Sequence, residues 1–381
     1  MELNSRTRTA STLLAAYLLG TLLTLFNLPA AASPRDFYVN ADPTIGDNGN
    51  PGDNPNDPKR TINAAIGIAS NGDTIHIADG IYRESISTDR SITFLGESAA
   101  GTILHGCQDS SCSSRRSTGI ASWGGTQMVV KEMTVTEFLY KGIGVDDAST
   151  QFTGEMLRIT ANLEYGLFVG SGSVDLSRVD ISNNLRRASH LNPNANLVQI
   201  ENTTISGNGF GFVNSTGGIA MAANFIGIVE INNSTISNNK YLGFSTYTTT
   251  NNISNSIIAG NVPGASFGGD CYVSPTGGIT SLGNNIDQDN SCGFIHTDDL
   301  NSSEPKLAPL VENQSALRTH GLKADSPALD KGNPAKCPSV DQRGVARPIG
   351  AVCDIGAHEG IIDAGILLPI RTPGGAAVVP L

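Results

Sequence analysis

The feature that most constrains this chain is a short motif, isoleucine followed three positions later by asparagine, that recurs in segments of similar sequence. The five segments are Ile159–Asn162, Ile181–Asn184, Ile205–Asn208, Ile236–Asn239 and Ile258–Asn261. The position numbers of successive isoleucines differ by 22, 24, 31 and 22, and Val135 adds one step of 24 upstream without the asparagine. A period in the low twenties, built from short β-branched segments closed by Asn and Gly, is typical of one coil of a parallel β-helix rather than of a two-helix repeat.

Columns of similar residues form when these coils are aligned on the isoleucine, called the anchor below. Because side chains alternate along a strand, the anchor and the residue two positions before it are predicted to point inward. The residue after each of the first four anchors, and the residue after Val135, carries a hydroxyl, and this column is predicted to be a solvent-facing stripe. Its members are Thr136, Thr160, Ser182, Ser206 and Ser237. A second strand in each coil is marked by Ile143, Leu167 and Phe244, each eight residues after its anchor.

The asparagines of the motif are predicted to stack at one corner of the solenoid as a structural ladder. Asn tolerates left-handed backbone geometry, and its amide can bond to the amide on the next coil, about 4.8 Å away. Turn preference makes the structural role the favoured one. The ladder consists of Asn162, Asn184, Asn208, Asn239 and Asn261. The one long step, from Ile205 to Ile236, predicts an excursion between Phe210 and Ile226.

Composition and charge limit the partners of such a solenoid. The chain has 43 glycines and one Trp, yet 39% of its residues are hydrophobic, so it is turn-rich rather than disordered. Its formal net charge is −11, and loss of residues 1–32, with Arg6, Arg8 and Glu2, would make it −12. An acidic surface repels phosphate backbones, which excludes nucleic acid as a partner. It also disfavours acidic polysaccharides unless a cation bridges them.

The N-terminal segment 1–32 has the layout of a secretory signal. Arg6 and Arg8 precede an uncharged stretch, Ser11–Leu28, and Ala30-Ala31-Ala32 offers a small-residue cleavage site. An uncleaved membrane anchor is the alternative interpretation of the same stretch. Either way the body of the protein is predicted to be secreted or at a bacterial cell surface, with membrane contact only through this signal or through an unrecognised anchor.

Six cysteines are typical of an oxidising compartment. Their order favours three local pairs, Cys107 with Cys112, Cys271 with Cys292, and Cys337 with Cys353, although other connectivities stay open from sequence alone. A zinc site is the disfavoured alternative, because the chain has no CxxC pair.

The segment before the repeats predicts a cap on the open end of the solenoid. The segment from Thr61 to Ser70 places four small or apolar residues on one helical face, namely Ile62, Ala65, Ile66 and Ala69. Such a helix would cover strand edges that otherwise invite aggregation. Upstream, a Gly/Pro-rich loop carries four candidate calcium ligands, Asp42, Asp47, Asp53 and Asp57. The loop lacks EF-hand spacing, so a solvated loop is the favoured interpretation.

Two parts of the chain resemble known proteins. Phe37–Asn40, the predicted helix and the stretch GDTIHIADGIYRE at residues 72–84 resemble the start of pectin-lyase-like, right-handed parallel β-helix proteins. The stretches SPALD at 326–330, DQRG at 341–344 and CDIGAHE at 353–359 are similar to the ending of bacterial choice-of-anchor Q proteins. This resemblance implies export and a solenoid, but it assigns no reaction because many activities share the fold.

The fold class expected from these observations is all-β, a right-handed parallel β-helix with a short N-terminal capping helix and a disulfide-stapled C-terminal cap. The expected organisation is signal peptide 1–32, N-terminal loop and capping helix 33–73, β-helix 74–300, choice-of-anchor-Q-like region 301–360 and tail 361–381.

Catalytic candidates are few. Asp146 and Asp147 follow the second strand at a corner, where paired carboxylates could bind calcium or act as acid and base. Arg186, Arg187 and His190 lie beyond Asn184 and could hold a sugar acid or serve as a lyase base. A turn and a solvated loop are the plainer interpretations. The outward columns show no pair of in-register acids of the kind that glycoside hydrolysis needs; Arg158 and Asp180 are expected to form an exposed ion pair there.

Two functional hypotheses follow. The first is an exported monomeric solenoid with a binding, adhesion or display role, which contacts a glycan or cell-surface component through its hydroxyl and amide stripes. The alternative is a polysaccharide lyase or epimerase, which requires Asp146, Asp147, Arg186, Arg187 and His190 to meet in one groove. No cofactor is predicted, with calcium as the one exception that the acidic residues would permit.

Overall fold

The computed structural model describes residues 33–211, 216–248, 251–263, 269–313 and 315–361. The predicted signal, residues 1–32, and most of the predicted tail, residues 362–381, lie outside the described residues. The described residues from Arg35 onward, called the body below, belong to one compact unit. Within the described ranges, no helix is long and apolar enough to cross a bilayer.

The described residues of the body form one short α-helix, α1 (Ile62–Ile68), one 3-10 turn (Pro334–Lys336) and many short strands. The strands, numbered along the chain, are β1 (Asp36–Val39), β2 (Thr74–Ile77), β3 (Gly80–Tyr82), β4 (Ile86–Thr88), β5 (Thr93–Gly96), β6 (Thr102–His105), β7 (Thr118–Ser122), β8 (Gln127–Lys131), β9 (Thr134–Thr136), β10 (Lys141–Val145), β11 (Gln151–Glu155), β12 (Arg158–Thr160), β13 (Tyr165–Ser177), β14 (Asp180–Ser182), β15 (Arg187–Glu201), β16 (Thr204–Ser206), β17 (Ile219–Met221), β18 (Ile228–Asn232), β19 (Thr235–Ser237), β20 (Lys240–Tyr241), β21 (Phe244–Thr246), β22 (Asn251–Ser254), β23 (Ile257–Ala259), β24 (Val262–Pro263), β25 (Cys271–Val273), β26 (Thr280–Ser281), β27 (Ile286–Asp287), β28 (Leu300–Asn301), β29 (Leu307–Glu312) and β30 (Arg318–Leu322).

These strands wind into a parallel β-helix with three faces. Face 1 consists of β1, β2, β5, β8, β11, the second halves of β13 and β15, β18, β22 and β26. Face 2 consists of β3, β6, β9, β12, β14, β16, β19, β23, β27 and β28. Face 3 consists of β4, β7, β10, the first halves of β13 and β15, β17, β21 and β25. The predicted parallel β-helix is therefore confirmed.

The anchors lie on face 2, in register from coil to coil. Ile159, Ile181, Ile205, Ile236 and Ile258 are successive partners and are fully buried. The second strand of the sequence analysis is the strand of face 3, where Ile143 pairs with Leu167. Within the repeats, the strand of face 1 was not predicted, because it carries neither the Asn motif nor a glycine marker.

The N-terminal cap includes the predicted helix. Thr61 caps α1 by accepting a hydrogen bond from the backbone N–H of Ala64, and Ile62, Ala65 and Ile66 are buried. The solenoid begins earlier than residue 74, where the sequence placed its start, since β1 pairs in parallel with β2. The correction has a simple cause: Phe37 and Val39 of β1 alternate with exposed or half-exposed residues and bury their side chains in the core.

The five asparagines stack at the corner between faces 2 and 3. The side-chain amide of Asn162 donates to Oδ1 of Asn184 at 2.9 Å, and the same bond recurs at 3.0, 2.8 and 3.0 Å along the column that continues through Asn208, Asn239 and Asn261. The left-handed residue of this corner is the one before each asparagine rather than the asparagine itself. These residues are Ala161, Asn183, Gly207, Asn238 and Gly260, with φ between 54° and 69°.

The long step from Ile205 to Ile236 has its extra length mainly before β17. Eight residues separate Ile181 from Ser189, whereas fourteen separate their register partners Ile205 and Ile219. One further residue is added between Met221 and Ile228. Gly209 still donates its backbone N–H to the carbonyl of Asn184, as Leu185 does to that of Asn162 one coil earlier, so the extra residues come after Gly209, as predicted. Part of the excursion, residues 212–215, lies outside the described residues.

The C-terminal region covers part of face 2. The antiparallel hairpin of β29 and β30 places Arg318 Nη2 at 2.8 Å from the hydroxyl of Thr160, and His320 Nε2 at 2.8 Å from the hydroxyl of Ser206. Ser182 also contacts Arg318, and Ser237 is buried as well. The prediction of a solvent-facing hydroxyl stripe is therefore wrong for Thr160, Ser182, Ser206 and Ser237, which are buried, whereas Thr136 is half-exposed. Alternation placed these side chains outward correctly, but the C-terminal region covers Thr160, Ser182 and Ser206.

The same cover changes the predicted exposed ion pair of Arg158 and Asp180. Asp180 is 0% exposed, and its carboxylate lies 2.9 Å from Arg318 Nε but 3.8 Å from Arg158 Nε. The expectation of an exposed pair is wrong, because Asp180 is a buried acid whose main partner comes from β30.

Three disulfides join Cys107 to Cys112, Cys271 to Cys292 and Cys337 to Cys353. The last one lies beside a buried ionic cluster, in which Arg347 pairs with Glu359 at 2.7 Å and both side chains are fully buried. Asp354 joins this cluster by accepting a hydrogen bond from the backbone N–H of Asp330. Disulfide bonds of this kind persist in oxidising compartments.

Candidate functional site

Face 3 carries a group of aromatic and basic side chains on three successive coils. Register brings Lys141, Tyr165 and Arg187 side by side at one position. It brings Phe168 beside His190 three residues further along the strands. We call the set of Tyr140, Lys141, Tyr165, Phe168, Arg186, Arg187 and His190 the aromatic–basic patch.

The rings of the patch are in contact with one another. Tyr165 is 5% exposed; its ring meets that of Tyr140 edge-on at 5.4 Å and stacks on His190 at 5.5 Å. The ring of Phe168 lies 5.6 Å from both Tyr165 and His190. Such contacts add about 0.5–1.5 kcal/mol per aromatic pair beyond area burial. Tyr140, 37% exposed, completes a platform that presents ring surface to solvent.

Cations surround these rings. Lys141 Nζ lies 4.6 Å from the centre of the Phe168 ring, and the guanidinium of Arg186 lies 5.3 Å from that of Tyr165. Lys141 pairs with Asp146 at 2.5 Å, and Arg186 pairs with Glu164 at 3.0 Å. Arg187 is a third cation, so the patch has three positive groups against the two acids that pair with Lys141 and Arg186. This local excess of positive charge occurs in a protein whose net charge is −11.

His190 and Arg187 form a hydrogen-bonded pair. Arg187 Nη1 lies 2.9 Å from His190 Nδ1. Burial, reinforced by Arg187 and Arg186, lowers the pKa of His190 to about 4. The ring is therefore neutral at pH 7, accepts at Nδ1 and carries its hydrogen on Nε2. Burial also lowers the pKa of Arg187, whose Nε is buried without a hydrogen-bond partner among the described residues.

The structure brings together four of the five residues considered for catalysis. Arg186, Arg187 and His190 belong to the patch, and Asp146 joins it through Lys141. Asp147 does not: its carboxylate accepts from the hydroxyl of Ser149 at 2.7 Å and from its backbone N–H at 3.0 Å. These bonds lower the pKa of Asp147 and give it a turn-closing role.

The aromatic members of the patch were missed, although the repeat contained a signal for them. Lys141, Tyr165 and Arg187 each lie six residues after an anchor, and Phe168 and His190 each lie nine residues after one. Alignment of the coils at those offsets predicts the platform.

The four acidic residues considered for calcium in the N-terminal loop serve as turn acceptors. Asp42 accepts from the backbone N–H and the hydroxyl of Thr44, which lowers its pKa, and Asp47 accepts from the backbone N–H of Gly49. Asp53 and Asp57 each accept from the amide of Asn54. No three of the four carboxylates converge in the described part of this loop.

Face 1 has a groove of about 600 Å³ beside the C-terminal region. Its acids, Glu230 and Glu201, accept from the side-chain amides of Gln199 at 3.0 Å and Asn232 at 3.1 Å. Asp175 adds a third carboxylate to the lining, and Lys336 lies at the same groove. This groove lacks the ring platform of face 3, and its three acids outnumber its single lysine.

Comparison with known proteins identifies the fold. No protein-family model matches the chain, and neither does any curated protein. Among solved structures, the pectate lyase Pel9A is similar with a TM-score of 0.50 and 16% identity, over 87% of this chain and 97% of that chain. A rhamnogalacturonan lyase matches with a TM-score of 0.47 and 13% identity, over 77% and 96% of the two chains. At 16% identity, the likeness to the pectate lyase shows a shared parallel β-helix.

Proposed function

We propose that this protein is an exported glycan-binding protein that holds acidic sugar residues at the aromatic–basic patch. The observation that carries the proposal is the register of that patch, which places ring faces and cations side by side on successive coils of one face. Export is supported by the three disulfides, and a surface role of the choice-of-anchor Q type is supported by the C-terminal motifs.

The chemistry of the patch suits a sugar acid. An aromatic ring offers an apolar surface against which the apolar side of a sugar ring can lie. Arg and Lys supply only donors, so they match a carboxylate and hydroxyl oxygens. At physiological salt, charges more than about 8 Å away are largely screened, so the positive patch governs binding despite the acidic protein. This replaces the expectation of a glycan held by hydroxyl and amide stripes, since four of the five hydroxyl residues and all five ladder asparagines are buried.

A polysaccharide lyase or epimerase at the same patch is the second candidate. It is supported by the pair of Arg187 and neutral His190, in which the imidazole could accept a proton while the guanidinium holds a substrate carboxylate. A general base works best with a pKa near the operating pH, whereas the pKa of His190 is lowered to about 4. The weakness of this base favours binding over turnover.

The test is binding of the protein from residue 33 onward to an array of acidic and neutral glycans, with absorbance of unsaturated products followed in parallel. Tyr140→Ala and Arg187→Gln are expected to weaken binding to acidic glycans by about tenfold or more, which corresponds to about 1.4 kcal/mol. Trp123→Ala is the matched control, because Trp123 is 48% exposed and bonds to Ser87 away from the patch.

Each outcome decides between the candidates. Binding that Tyr140→Ala and Arg187→Gln leave unchanged contradicts a site at the patch. Product formation that disappears in His190→Ala establishes the lyase or epimerase instead. Glycan binding without product, lost in both patch variants and kept in Trp123→Ala, supports the binding protein.

A further inference from the structure

The asparagine ladder ends in an acid. The side-chain amide of Asn261 donates to Oδ1 of Asp270 at 2.8 Å, and the backbone N–H of Asn261 donates to the same oxygen at 2.9 Å. These are the two bonds that each earlier asparagine makes to the next asparagine in the column. Asp270 therefore occupies the next position of the ladder, with a carboxylate where the preceding coils have an amide.

The isoleucines of the anchor column also give way to an acid. The register partner of Ile258 on the following coil is Asp287, which is 0% exposed. A third acid, Asp289, follows in the next turn; its Oδ2 accepts from the backbone N–H of Asp270 at 2.9 Å. One carboxylate oxygen from each of these three residues lies within 4.8 Å of the others. The end of the asparagine ladder and the first anchor position without isoleucine thus converge on one acidic cluster.

One oxygen of this cluster is buried without a partner. Asp287 Oδ2 accepts from the backbone N–H of Cys292 at 2.8 Å, whereas Oδ1 is shielded from solvent and makes no hydrogen bond. Among the described residues, the ion pairs involve none of the three aspartates. A buried carboxylate is stable as a charged group only when it is paired or coordinates a metal.

We propose that Asp270, Asp287 and Asp289 bind a calcium ion at the C-terminal end of the coil stack. Calcium takes about six to eight oxygen ligands at about 2.3–2.6 Å, so one ion can bridge oxygens as far apart as those of this cluster. Magnesium demands about 2.0–2.1 Å in a strict octahedron, which would require the carboxylates to move closer together. Three carboxylates supply part of the shell, and water supplies the remainder.

Two further features support the site. Burial raises the pKa of Asp270 to about 6 and that of Asp287 to about 7, and the neighbouring Asp289 adds to both shifts. A bound divalent cation would relieve this crowding of negative charge. The ion would also join Asp270, just before β25, to Asp289, in the turn after β27. The disulfide between Cys271 and Cys292 joins the same two segments. The ion would then act as a clip on one of the last coils.

The experiment measures calcium binding directly on the EDTA-stripped protein. Calorimetric titration with CaCl2 is expected to show one binding site. The midpoint temperature of thermal unfolding is expected to rise by roughly 2–5 °C at millimolar CaCl2. MgCl2 at the same concentration should give a smaller shift. Asp287→Asn should lose the calcium response, and in EDTA it should be no less stable than the wild-type protein, because the amide removes one of three adjacent charges.

Two more variants keep the test decisive. Asp289→Asn should weaken calcium binding at least tenfold. Because Asp289 is exposed, this variant can be measured even if Asp287→Asn fails to fold. Asp53→Asn is the matched control from the N-terminal acidic loop and should keep the full response. The proposal is overturned if the wild-type protein shows neither heat of binding nor a change in unfolding temperature at millimolar calcium. It is equally overturned when both Asp287→Asn and Asp289→Asn respond like Asp53→Asn.

Discussion

Faces 2 and 3 of the solenoid both present repeated polar side chains outward, but most of those of face 2 are buried and those of face 3 are partly exposed. On face 2, hydroxyls in register lie beneath the C-terminal region and bond to Arg318 and His320. On face 3, cations and rings in register remain partly accessible, with Tyr140 37% exposed. The difference teaches that repeat periodicity determines whether a side chain points out of the coil, but not whether another part of the chain covers it.

The chemistry of the two faces matches this difference in exposure. The hydroxyls of face 2 meet specific partners from one later segment, so their hydrogen-bonding capacity is used within the protein. The patch on face 3 combines stacked rings with an excess positive charge, features that suit an external ligand. Three variants test this contrast, beginning with the largest expected effect.

Removal of the arginine that covers face 2 should have the largest effect. Arg318→Ala leaves Asp180, which is 0% exposed, with Arg158 at 3.8 Å as its one cationic partner among the described residues. Loss of one partner from a buried ion pair costs about 3–5 kcal/mol of unfolding free energy, measurable by urea denaturation. The control is Lys131→Ala on face 1, whose pair with Glu155 is over one-third exposed and is worth under about 1 kcal/mol. Equal costs for the two variants would show that the cover does not bury Asp180.

Removal of one hydroxyl from the covered stripe should have an intermediate effect. Ser206→Ala deprives the buried His320 Nε2 of its partner at 2.8 Å. An unsatisfied buried polar group costs about 1–3 kcal/mol, and the same denaturation measurement applies. Ser173→Ala, at a half-exposed position on face 1, should change stability by less than about 0.5 kcal/mol. A stripe that faced solvent would make the two variants alike.

The smallest effect on stability is expected on face 3, where the readout is a pKa. Arg187→Gln removes a positive charge beside His190, so the pKa of this histidine should rise from about 4 toward its usual value near 6.5. Because the folded-state pKa is below the unfolded one, His190 contributes stability above about pH 6.5 that is lost as pH falls toward 4. NMR titration of the imidazole measures the shift. Lys141→Gln is the control and should leave the midpoint unchanged; an equal shift in both variants would contradict the pairing.

Much of the fold could be predicted because its causes are local. The anchor column, the Asn corner and the helix α1 depend on residues within one coil and on their repetition in the next. The face 1 strand escaped prediction because it has no marker residue, and β1 escaped because it is a single short strand inside a loop-like segment. The aromatic–basic patch was within reach, since Tyr165 and Arg187 share one offset from their anchors.

The sequence by itself determined the parallel β-helix, since its strands pair with neighbours about one period away and the period is visible in the residues. Only the tertiary structure decided which outward surface is open. Ser206 and His320 lie far apart in the chain, with a sequence separation of 114, and no period relates the C-terminal hairpin to the coil that it covers. The same holds for the convergence of Asp270, which precedes β25, with Asp287 in β27 and Asp289 in the turn after it. Local repetition determines register, whereas the return of a non-repetitive segment onto the solenoid determines burial and hence which side chains remain for a ligand.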